Sequence, residues 1–235
     1  DTPIAHRGLH SPGIPENSMA AFREAIRNGF SIELDVHKTR DDVLVVFHDE
    51  NLSRMTGDER LIGDCTFPEL RQLVLDQTEE RIPALADVLD LVHGQAGLLI
   101  EIKTHTGFGK VEELISHMLD RYHGKFAVVS FDPWILRWFL KNRPSYIRGQ
   151  ISGGMKGTKL SVLQRFLMKN LFVTLTSRPD FIAYEYRYFN VWIRFFAGIL
   201  RLPVLVWTIR DPATAMKFRQ AGQNCIFEGF DAKKI

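Results

Sequence analysis

Cysteine is scarce in this 235-residue sequence, which argues against a disulfide-rich protein and against a cysteine-bound zinc protein. The two cysteines, Cys65 and Cys225, stand far apart and lack the paired spacing of a disulfide framework or a zinc site. We interpret both as free thiols of a reducing compartment. No uninterrupted apolar run reaches the roughly 20 residues that a membrane span needs. These absences favour a globular protein without structural disulfides.

An excess of either charge is also missing, since the formal net charge is +2 with 45% hydrophobic and 25% charged residues. Lys and Arg are scattered, which argues against a nucleic acid partner but is compatible with a small anionic substrate. The first residues, DTPIAHRG, show neither the basic nor the apolar region of a signal peptide. We therefore expect a cytoplasmic protein.

Short apolar runs rich in β-branched residues alternate with amphipathic stretches through nearly the whole chain. This alternation is typical of repeated βα units around a parallel sheet. Eight such strands indicate a closed α/β barrel, which commonly occupies this length as a single domain, here residues 1–235. The predicted strands span residues 3–6, 31–36, 98–103, 126–131, 146–151, 181–186, 203–209 and 224–228.

Helical patterns follow most of the predicted strands. Asp132-Pro133 and Asp211-Pro212 each place an N-cap acceptor before a proline that opens a helix. The chain from about 37 to 83 is longer than a barrel connection needs, so we predict an insertion there, with a strand at 43–47 and a short helix near 67–75. The predicted helices span 18–28, 84–92, 110–122, 133–142, 160–171, 188–200 and 212–221.

Acidic residues stand toward the carboxyl ends of two predicted strands, where parallel α/β barrels build their active sites. Glu33 and Asp35 are two residues apart on one strand and so share a face. Glu101 on the next barrel strand can face the same lumen. Three carboxylates could converge on one cation, and an all-oxygen set of ligands favours Mg²⁺ or Ca²⁺ over zinc.

Cationic and titratable side chains occupy comparable positions. His6 and Arg7 end the first predicted strand, and Lys103 ends the third. An arginine fork and a lysine beside a metal describe a phosphate site. His6 and His48 titrate near neutrality, as acid-base cleavage of a phosphate ester requires. Asp49 is expected to orient His48 or to shape its turn.

Each of these pairs also has a purely structural interpretation. The Glu-x-Asp pair fits the solvated face of an edge strand, the Glu-x-Lys pair fits an ion pair inside a barrel, and the His-Asp pair fits a turn. We favour catalytic and ligand-binding roles for these residues, because all of the pairs fall at the carboxyl ends of their strands or just beyond. The remaining histidines are expected at the surface: His10, His37, His93, His105, His117 and His123.

Residues 184–200, YEYRYFNVWIRFFAGIL, are unusually aromatic. Four of these residues fall near helical spacing, which predicts a helix that packs on the barrel wall: Phe189, Trp192, Phe196 and Leu200. Because Val191, Ile193 and Phe195 extend the apolar character around this helix, a homodimer face or a weak membrane contact remains an alternative.

In their order along the chain, these motifs resemble the glycerophosphodiester phosphodiesterase family, in its bacterial cytoplasmic type. Two short segments depart from the family pattern, at 41–43 and at 227–230, and neither contains a proposed catalytic residue. The matching residues are His6-Arg7-Gly8, Pro15-Glu16-Asn17-Ser18, Glu33-Leu34-Asp35-Val36, Val46-Phe47-His48-Asp49, Leu52, Arg54, Thr56, Gly57, Ile82-Pro83-Ala84-Leu85, Glu101-Ile102-Lys103 and Val206-Trp207-Thr208.

The resemblance implies a TIM (β/α)8 barrel with a small insertion after the second strand. It also implies metal-dependent hydrolysis of glycerophosphodiesters to glycerol 3-phosphate and an alcohol. The implied roles are acid-base catalysis for His6 and His48, binding of Mg²⁺ or Ca²⁺ for Glu33, Asp35 and Glu101, phosphate contacts for Arg7 and Lys103, and a pocket wall for Trp207.

Two alternatives to this function remain open. A related barrel enzyme could act on lysophospholipids in the manner of a phospholipase D, or could release a cyclic phosphate as its product. A non-catalytic barrel could instead bind phosphodiesters without cleaving them. The presence of both histidines together with all three carboxylates favours hydrolysis.

Overall fold

The computed structural model of the chain describes residues 2–103, 108–155 and 160–234. Contacts divide the chain into two compact units, a first unit over Thr2–Phe126 and a second unit over Ala127–Ile235. All eight predicted barrel strands have a counterpart in these units, so the prediction of an alternating α/β chain is confirmed. That residues 1–235 form one domain stays a prediction.

The strands of the first unit are β1 (Ile4–Ala5), β2 (Ser31–Lys38), β3 (Leu44–Val46) and β4 (Leu98–Ile102). Strand β2 pairs in parallel with both β1 and β4, and the second pairing brings Asp35 opposite Glu101. Strand β3 runs antiparallel to the last residues of β2, with Val36 opposite Val46. Two of the predicted acidic residues are thereby neighbours across the sheet.

Strand β2 is longer than predicted, and its length changes where the acidic residues lie. It runs to Lys38 because its last three residues pair with β3. Glu33 and Asp35 therefore stand in the middle of the strand and not toward its end. Strand β1 ends at Ala5, so His6 and Arg7 lie in the turn that follows it.

The helices of the first unit are α1 (Met19–Arg27), α2 (Ser53–Thr56), α3 (Phe67–Leu70), α4 (Leu85–Val92) and α5 (Lys110–Leu119). Helix α1 begins where Ser18 accepts a hydrogen bond from the Ala21 N–H, as its capping residue. The turn after β1 lies close to this helix. A Cβ atom added at Gly8 would stand 2.8 Å from the Cβ of Ala21, so only glycine fits there.

The predicted insertion contains β3, α2, α3 and a 3-10 turn at Ile62–Asp64. The prediction of a strand at 43–47 is confirmed by β3, and the short helix near 67–75 is confirmed by α3, although α3 ends at Leu70. The insertion has a hydrophobic cluster of its own, around which it folds compactly. The buried members are Val45, Phe47, Leu52, Ile62, Cys65, Leu70, Leu75 and Ile82.

The second unit repeats the alternation of strand and helix. Its strands are β5 (Phe126–Ser130), β6 (Arg148–Ser152), β7 (Phe181–Glu185), β8 (Val204–Ile209) and β9 (Asn224–Phe227), and neighbours in this order pair in parallel. Its helices are α6 (Pro133–Asn142), α7 (Val162–Lys169), α8 (Thr174–Ser177), α9 (Val191–Ile199) and α10 (Pro212–Gln220).

Local capping explains the helix starts in the second unit. Asp132 accepts the Trp134 N–H at 2.8 Å before α6, and Asp211 accepts the Thr214 N–H at 2.8 Å before α10, as the Asp-Pro pairs predict. Helix α8 was not predicted, because four residues are too few to show a period. None of the helices in the described ranges has the length and hydropathy that a membrane crossing requires.

Candidate active site

Three carboxylates meet in the interior of the first unit. Glu33 and Asp35 project from one face of β2, and Glu101 lies beside Asp35 on β4. Carboxylate oxygens of these three residues all lie within 4.8 Å of one another, and all three residues are buried. We call Glu33, Asp35 and Glu101 the carboxylate cluster. Grouping buried negative charges in this way is unfavourable unless cations compensate them.

Lys103 supplies part of that compensation. Its Nζ atom lies 2.6 Å from Asp35 Oδ1 and 2.5 Å from Glu101 Oε1. Burial would lower the pKa of Lys103, but the two carboxylates outweigh burial and raise it above its ordinary value, so the side chain is an ammonium. The ion pair that the sequence allowed as a structural interpretation is therefore present. Contact of Lys103 with a phosphate stays a prediction.

The members of the carboxylate cluster differ in how well their charge is compensated. Burial raises the pKa of Glu33 well above its usual range, and the charges of Asp35 and Glu101 raise it further. Burial also raises the pKa of Glu101. Burial would raise the pKa of Asp35 too, but the positive charges of Lys103 and Arg7 hold it well below its usual range. Further positive charge is favoured at Glu33.

The chemistry of the carboxylate cluster fits a hard divalent cation. Its donors are all carboxylate oxygens, which Mg²⁺ and Ca²⁺ prefer and zinc does not. Burial, together with the charges of neighbouring carboxylates, raises the pKa values of Glu33 and Glu101. A divalent cation would favour the ionised form of both residues. The residues present can therefore hold a metal ion.

The turn after β1 is tied to the carboxylate cluster by two residues with left-handed backbone, Arg7 at φ 55° and Asn17 at φ 54°. The Arg7 N–H donates to Glu33 Oε2 at 2.8 Å, and the Asn17 amide donates to Asp35 Oδ2 at 2.8 Å. The Asn17 N–H also donates to the Arg7 carbonyl at 2.9 Å. Such strained conformations persist where surrounding contacts hold them, commonly at functional sites.

A chain of ionic contacts connects Arg7 with His48. Glu16 Oε1 lies 2.7 Å from the Arg7 guanidinium and 2.6 Å from that of Arg54. The Arg54 Nε lies 2.5 Å from Asp49 Oδ2, and Asp49 Oδ1 lies 2.6 Å from His48 Nδ1. Because an ionised carboxylate can only accept, His48 Nδ1 carries the proton and its Nε2 keeps a lone pair. The expected role of Asp49 in orienting His48 matches this contact.

His48 is a neutral imidazole near neutral pH. Burial lowers its pKa to about 4, and the charge of Lys103 acts in the same direction. Burial would raise the pKa of Asp49, but hydrogen bonds from Arg54 and His48 outweigh burial and lower it, so Asp49 is ionised. A neutral histidine whose Nδ1–H is held by a carboxylate can accept a proton at Nε2.

One of the histidines expected at the surface also supports His48. The His37 ring is half-buried, and its Nε2 donates to the His48 carbonyl at 3.1 Å. The surface prediction is wrong for His37 because the longer β2 places it opposite Val45 of β3. His10 is likewise half-buried. His93, His117 and His123 are exposed as predicted, and His105 lies outside the described residues.

A cavity of about 720 Å³ opens beside these groups in the first unit. His48 and Lys103 line it, together with His37 and residues 61–64 of the insertion. Its volume lies in the range of pockets for small ligands, about 300–1,000 Å³. The insertion therefore forms one wall of a cleft next to the candidate acid-base and cationic groups.

For two predicted site residues, His6 and Trp207, the structure gives a position in the fold. His6 is half-buried in the turn after β1. Trp207 lies on β8 in the second unit, where its ring packs edge-on against Phe131 at 5.8 Å. The acid-base role of His6 and the pocket role of Trp207 stay predictions.

Sequence reasoning assigned no role to Glu16, Asn17 or Arg54, although all three stand in the motifs that carry the family resemblance. Arg54 and Glu16 are separated by 38 residues along the chain, and no local spacing predicts such a contact. The signal available in the sequence was their place within the matching motifs.

Comparison with known proteins relates most of the chain to the family that its sequence motifs resemble. The model of the glycerophosphoryl diester phosphodiesterase family matches residues 6–164. The candidate glycerophosphodiester phosphodiesterase YhdW of Bacillus subtilis is 31% identical over 231 residues, which cover 93% of this chain and 90% of that protein. A glycerophosphodiester phosphodiesterase of Caldanaerobacter subterraneus is 36% identical over 153 residues, 60% of this chain and 62% of that protein.

Among solved structures, a phosphodiesterase of Oleispira antarctica in complex with the product sn-glycerol-3-phosphate is similar with a TM-score of 0.81. It is 25% identical in sequence, and the match covers 97% of this chain and 92% of that one. This likeness confirms the predicted TIM (β/α)8 fold class. Both the sequence match and the structural match lead to one assignment: the chain belongs to the glycerophosphoryl diester phosphodiesterase family.

Proposed function

We propose that the chain hydrolyses glycerophosphodiesters to glycerol 3-phosphate and an alcohol, with the chemistry taking place at the carboxylate cluster and His48. Family membership makes the chain a phosphodiesterase, and the glycerol 3-phosphate held by the Oleispira relative supports the substrate class. The observation that carries the residue roles is the convergence of three buried carboxylates within 4.8 Å of one another.

Glu33, Asp35 and Glu101 are the proposed ligands of a divalent cation, Mg²⁺ or Ca²⁺. When bound, such an ion polarises a phosphoryl oxygen and stabilises the negative charge that develops on it. The all-oxygen donor set and the raised pKa values of Glu33 and Glu101 support this assignment.

His48 is the proposed general base. Its pKa of about 4 and its Nδ1 contact with Asp49 support a neutral ring whose Nε2 accepts a proton from the attacking hydroxyl. That hydroxyl belongs to water, which gives glycerol 3-phosphate directly, or to the glycerol 2-position of the substrate. In the second case the alcohol leaves as a cyclic phosphate forms, and water must then open that ring to give glycerol 3-phosphate. His6 then donates a proton to the leaving alkoxide, while Arg7 and Lys103 stabilise the phosphoryl oxygens with their positive charge.

The cavity beside His48 is the proposed binding place of the substrate. The cavity volume of about 720 Å³ and its Lys103 ammonium suit a small anionic diester. We also propose a cytoplasmic location, which the two buried, free cysteines support.

Phosphorus NMR of glycerophosphocholine, glycerophosphoethanolamine and lysophosphatidylcholine incubated with the protein tests this function. We expect glycerol 3-phosphate from the first two substrates with Mg²⁺ or Ca²⁺. Replacement His48→Ala should lower turnover by about 10²- to 10⁴-fold, since a general base contributes that much. His117→Ala is the matched control, because His117 is an exposed histidine on α5.

Near-normal turnover by the His48→Ala variant would contradict the proposed base. Cyclic phosphate as the final product, or cleavage of lysophosphatidylcholine alone, would replace the reaction by one of the two related activities. Binding of the diesters without turnover under any of the three ions Mg²⁺, Ca²⁺ and Mn²⁺ would identify a non-catalytic barrel.

A further inference from the structure

An exposed apolar surface lies on the second unit, on helices that contribute nothing to the proposed chemistry. More than half of the large hydrophobic side chains exposed in the described parts of the chain belong to it. Val191 is 84% exposed and Val162 is 77% exposed, values unusual for residues of this type. We call it the apolar patch. Its members are Val162, Leu163 and Phe166 of α7, Leu175 of α8, and Val191, Trp192, Phe195 and Ile199 of α9.

Ring contacts make the apolar patch continuous between α7 and α9. Phe166 stacks on Phe172 with ring centroids 5.9 Å apart, and Phe172 meets Phe196 edge-on at 5.9 Å. Trp192 lies 6.3 Å from Phe196 and 6.2 Å from Phe195. One connected aromatic row therefore runs under and through the exposed side chains. Contiguous exposed surfaces of this kind mark interaction sites, unlike single exposed residues.

The same five-residue pattern builds both ends of the apolar patch. Helix α7 begins Val-Leu-Gln-Arg-Phe at 162–166, and α9 begins Val-Trp-Ile-Arg-Phe at 191–195. Each pattern follows a capping residue, Ser161 or Asn190, whose side chain accepts the N–H three residues later. At 3.6 residues per turn, the first, second and fifth residues span an arc of about 100°, and the arginine lies about 60° beyond its edge. Each helix thus presents an apolar face flanked by an arginine.

The two chain segments that carry the apolar patch contain charges of one sign. Residues 160–178 and 186–201 contain no Asp or Glu. Of the two acidic residues between these ranges, Asp180 is paired with Arg148 at 3.1 Å and Glu185 accepts the Gly154 N–H at 3.0 Å. The basic residues of the two ranges are all exposed, and they are Arg165, Lys169, Arg178, Arg187, Arg194 and Arg201.

We propose that the apolar patch docks on the surface of a bilayer that carries anionic lipids. Short helices with an apolar face and flanking cations lie in the interface, where their apolar side chains enter the acyl boundary and their cations meet lipid phosphates. The patch helices α7 and α9 have only 8 and 9 residues, too few to span the hydrocarbon core, so the proposed contact of this surface is peripheral. A second copy of the chain fits the patch less well, because apposed patches would bring arginines of both copies together.

Co-sedimentation of the full chain with sucrose-loaded vesicles tests the proposal. The vesicles contain phosphatidylcholine alone or phosphatidylcholine with phosphatidylglycerol at a 7:3 ratio, a typical test mixture of about one third anionic lipid. We expect binding to the mixed vesicles that weakens as salt is raised. Trp192→Ser with Phe195→Ser should lower the partition coefficient by about a hundredfold, because withdrawing each of the two rings from lipid lowers it by about tenfold. Arg165→Gln with Arg194→Gln should remove the preference for anionic vesicles.

Trp134→Ser is the matched control, because Trp134 is 57% exposed on α6 whereas Trp192 is 51% exposed in the apolar patch. The control should bind vesicles like the unchanged protein, and all variants should hydrolyse a soluble diester at the unchanged rate with an unchanged melting temperature. Equal loss of binding in the Trp134 variant, or no binding to either vesicle, would overturn the proposal. A concentration-dependent dimer that the double serine variant abolishes, without vesicle binding, would identify a second copy as the occupant instead.

Discussion

Replacing Lys103 with methionine should destabilise the metal-free protein strongly. The Lys103 ammonium lies 2.6 Å from Asp35 and 2.5 Å from Glu101, and its side chain is only 15% exposed. Methionine keeps the apolar stem but removes the charge, so two buried carboxylates lose their common partner. Removing one member of a buried ion pair costs about 3–5 kcal/mol, mainly because the remaining charge is left uncompensated.

The size of this loss sets the expected readout. For a chain of this length each kcal/mol shifts the melting temperature by about 2–4 °C, so the variant should melt roughly 6–20 °C lower. A divalent cation should reverse part of the loss, because it restores positive charge to the same carboxylates. At a hundredfold excess over its dissociation constant, a bound ion stabilises the folded state by about 2.7 kcal/mol.

Urea unfolding and thermal melting in EDTA, and then with Mg²⁺ or Ca²⁺, measure these changes. Lys110→Met is the matched control, because Lys110 pairs with Asp42 at the surface and its side chain is 57% exposed. An exposed pair contributes about 1 kcal/mol or less, so this control should change stability little. If the Lys103 and Lys110 variants lose the same small amount, the electrostatic explanation of the carboxylate cluster is wrong.

Three further outcomes follow from the same contacts. Glu33→Gln should leave the metal-free protein as stable or more stable, because it removes an ionisable group that is buried beside two other carboxylates. Calorimetry should nevertheless show that its affinity for the divalent cation is reduced at least tenfold. Unchanged affinity would exclude Glu33 as a ligand. Asp49→Asn should lower kcat about tenfold to a hundredfold with little change in KM. Because Asp49 raises the pKa of His48, the variant should also move the acidic limb of the pH-rate profile to lower pH. A pH-rate profile that does not move would refute this positioning role. Burial raises the pKa of Tyr184 to about 12, so the tyrosine ionises at lower pH in the unfolded state than in the folded state. The free energy of unfolding should therefore fall by about 1.4 kcal/mol per pH unit between pH 10 and pH 12. Urea unfolding of Tyr184→Phe should lack this fall, and an equally steep pH dependence in the variant would contradict the reasoning.

The sequence predicted the elements of the fold well because the signals for them are local. Strand and helix periods, the Asp-Pro starts of α6 and α10, and the alternation of elements are all properties of short segments. The excess length between residues 37 and 83 likewise showed an insertion. Only its internal detail, such as the early end of α3 at Leu70, depends on packing that a short segment does not reveal.

The candidate site was predictable only in part. Glu33 and Asp35 share a face by the two-residue period of a strand, and the parallel register then brings Glu101 beside them. The support of His48 was not predictable, because His37 reaches its carbonyl only after β3 extends β2. The bridge from Glu16 through Arg54 to Asp49 depends on contacts between distant segments, for which spacing along the chain carries no signal.

The carboxylate cluster as a metal-dependent hydrolytic centre is tested most directly by one titration. The initial rate of glycerol 3-phosphate release from glycerophosphocholine is measured on EDTA-treated protein as Mg²⁺ or Ca²⁺ is added back. We expect no release in EDTA and a rate that saturates with the concentration of the ion. Release at the full rate in EDTA, unaffected by either ion, would contradict this assignment of Glu33, Asp35 and Glu101.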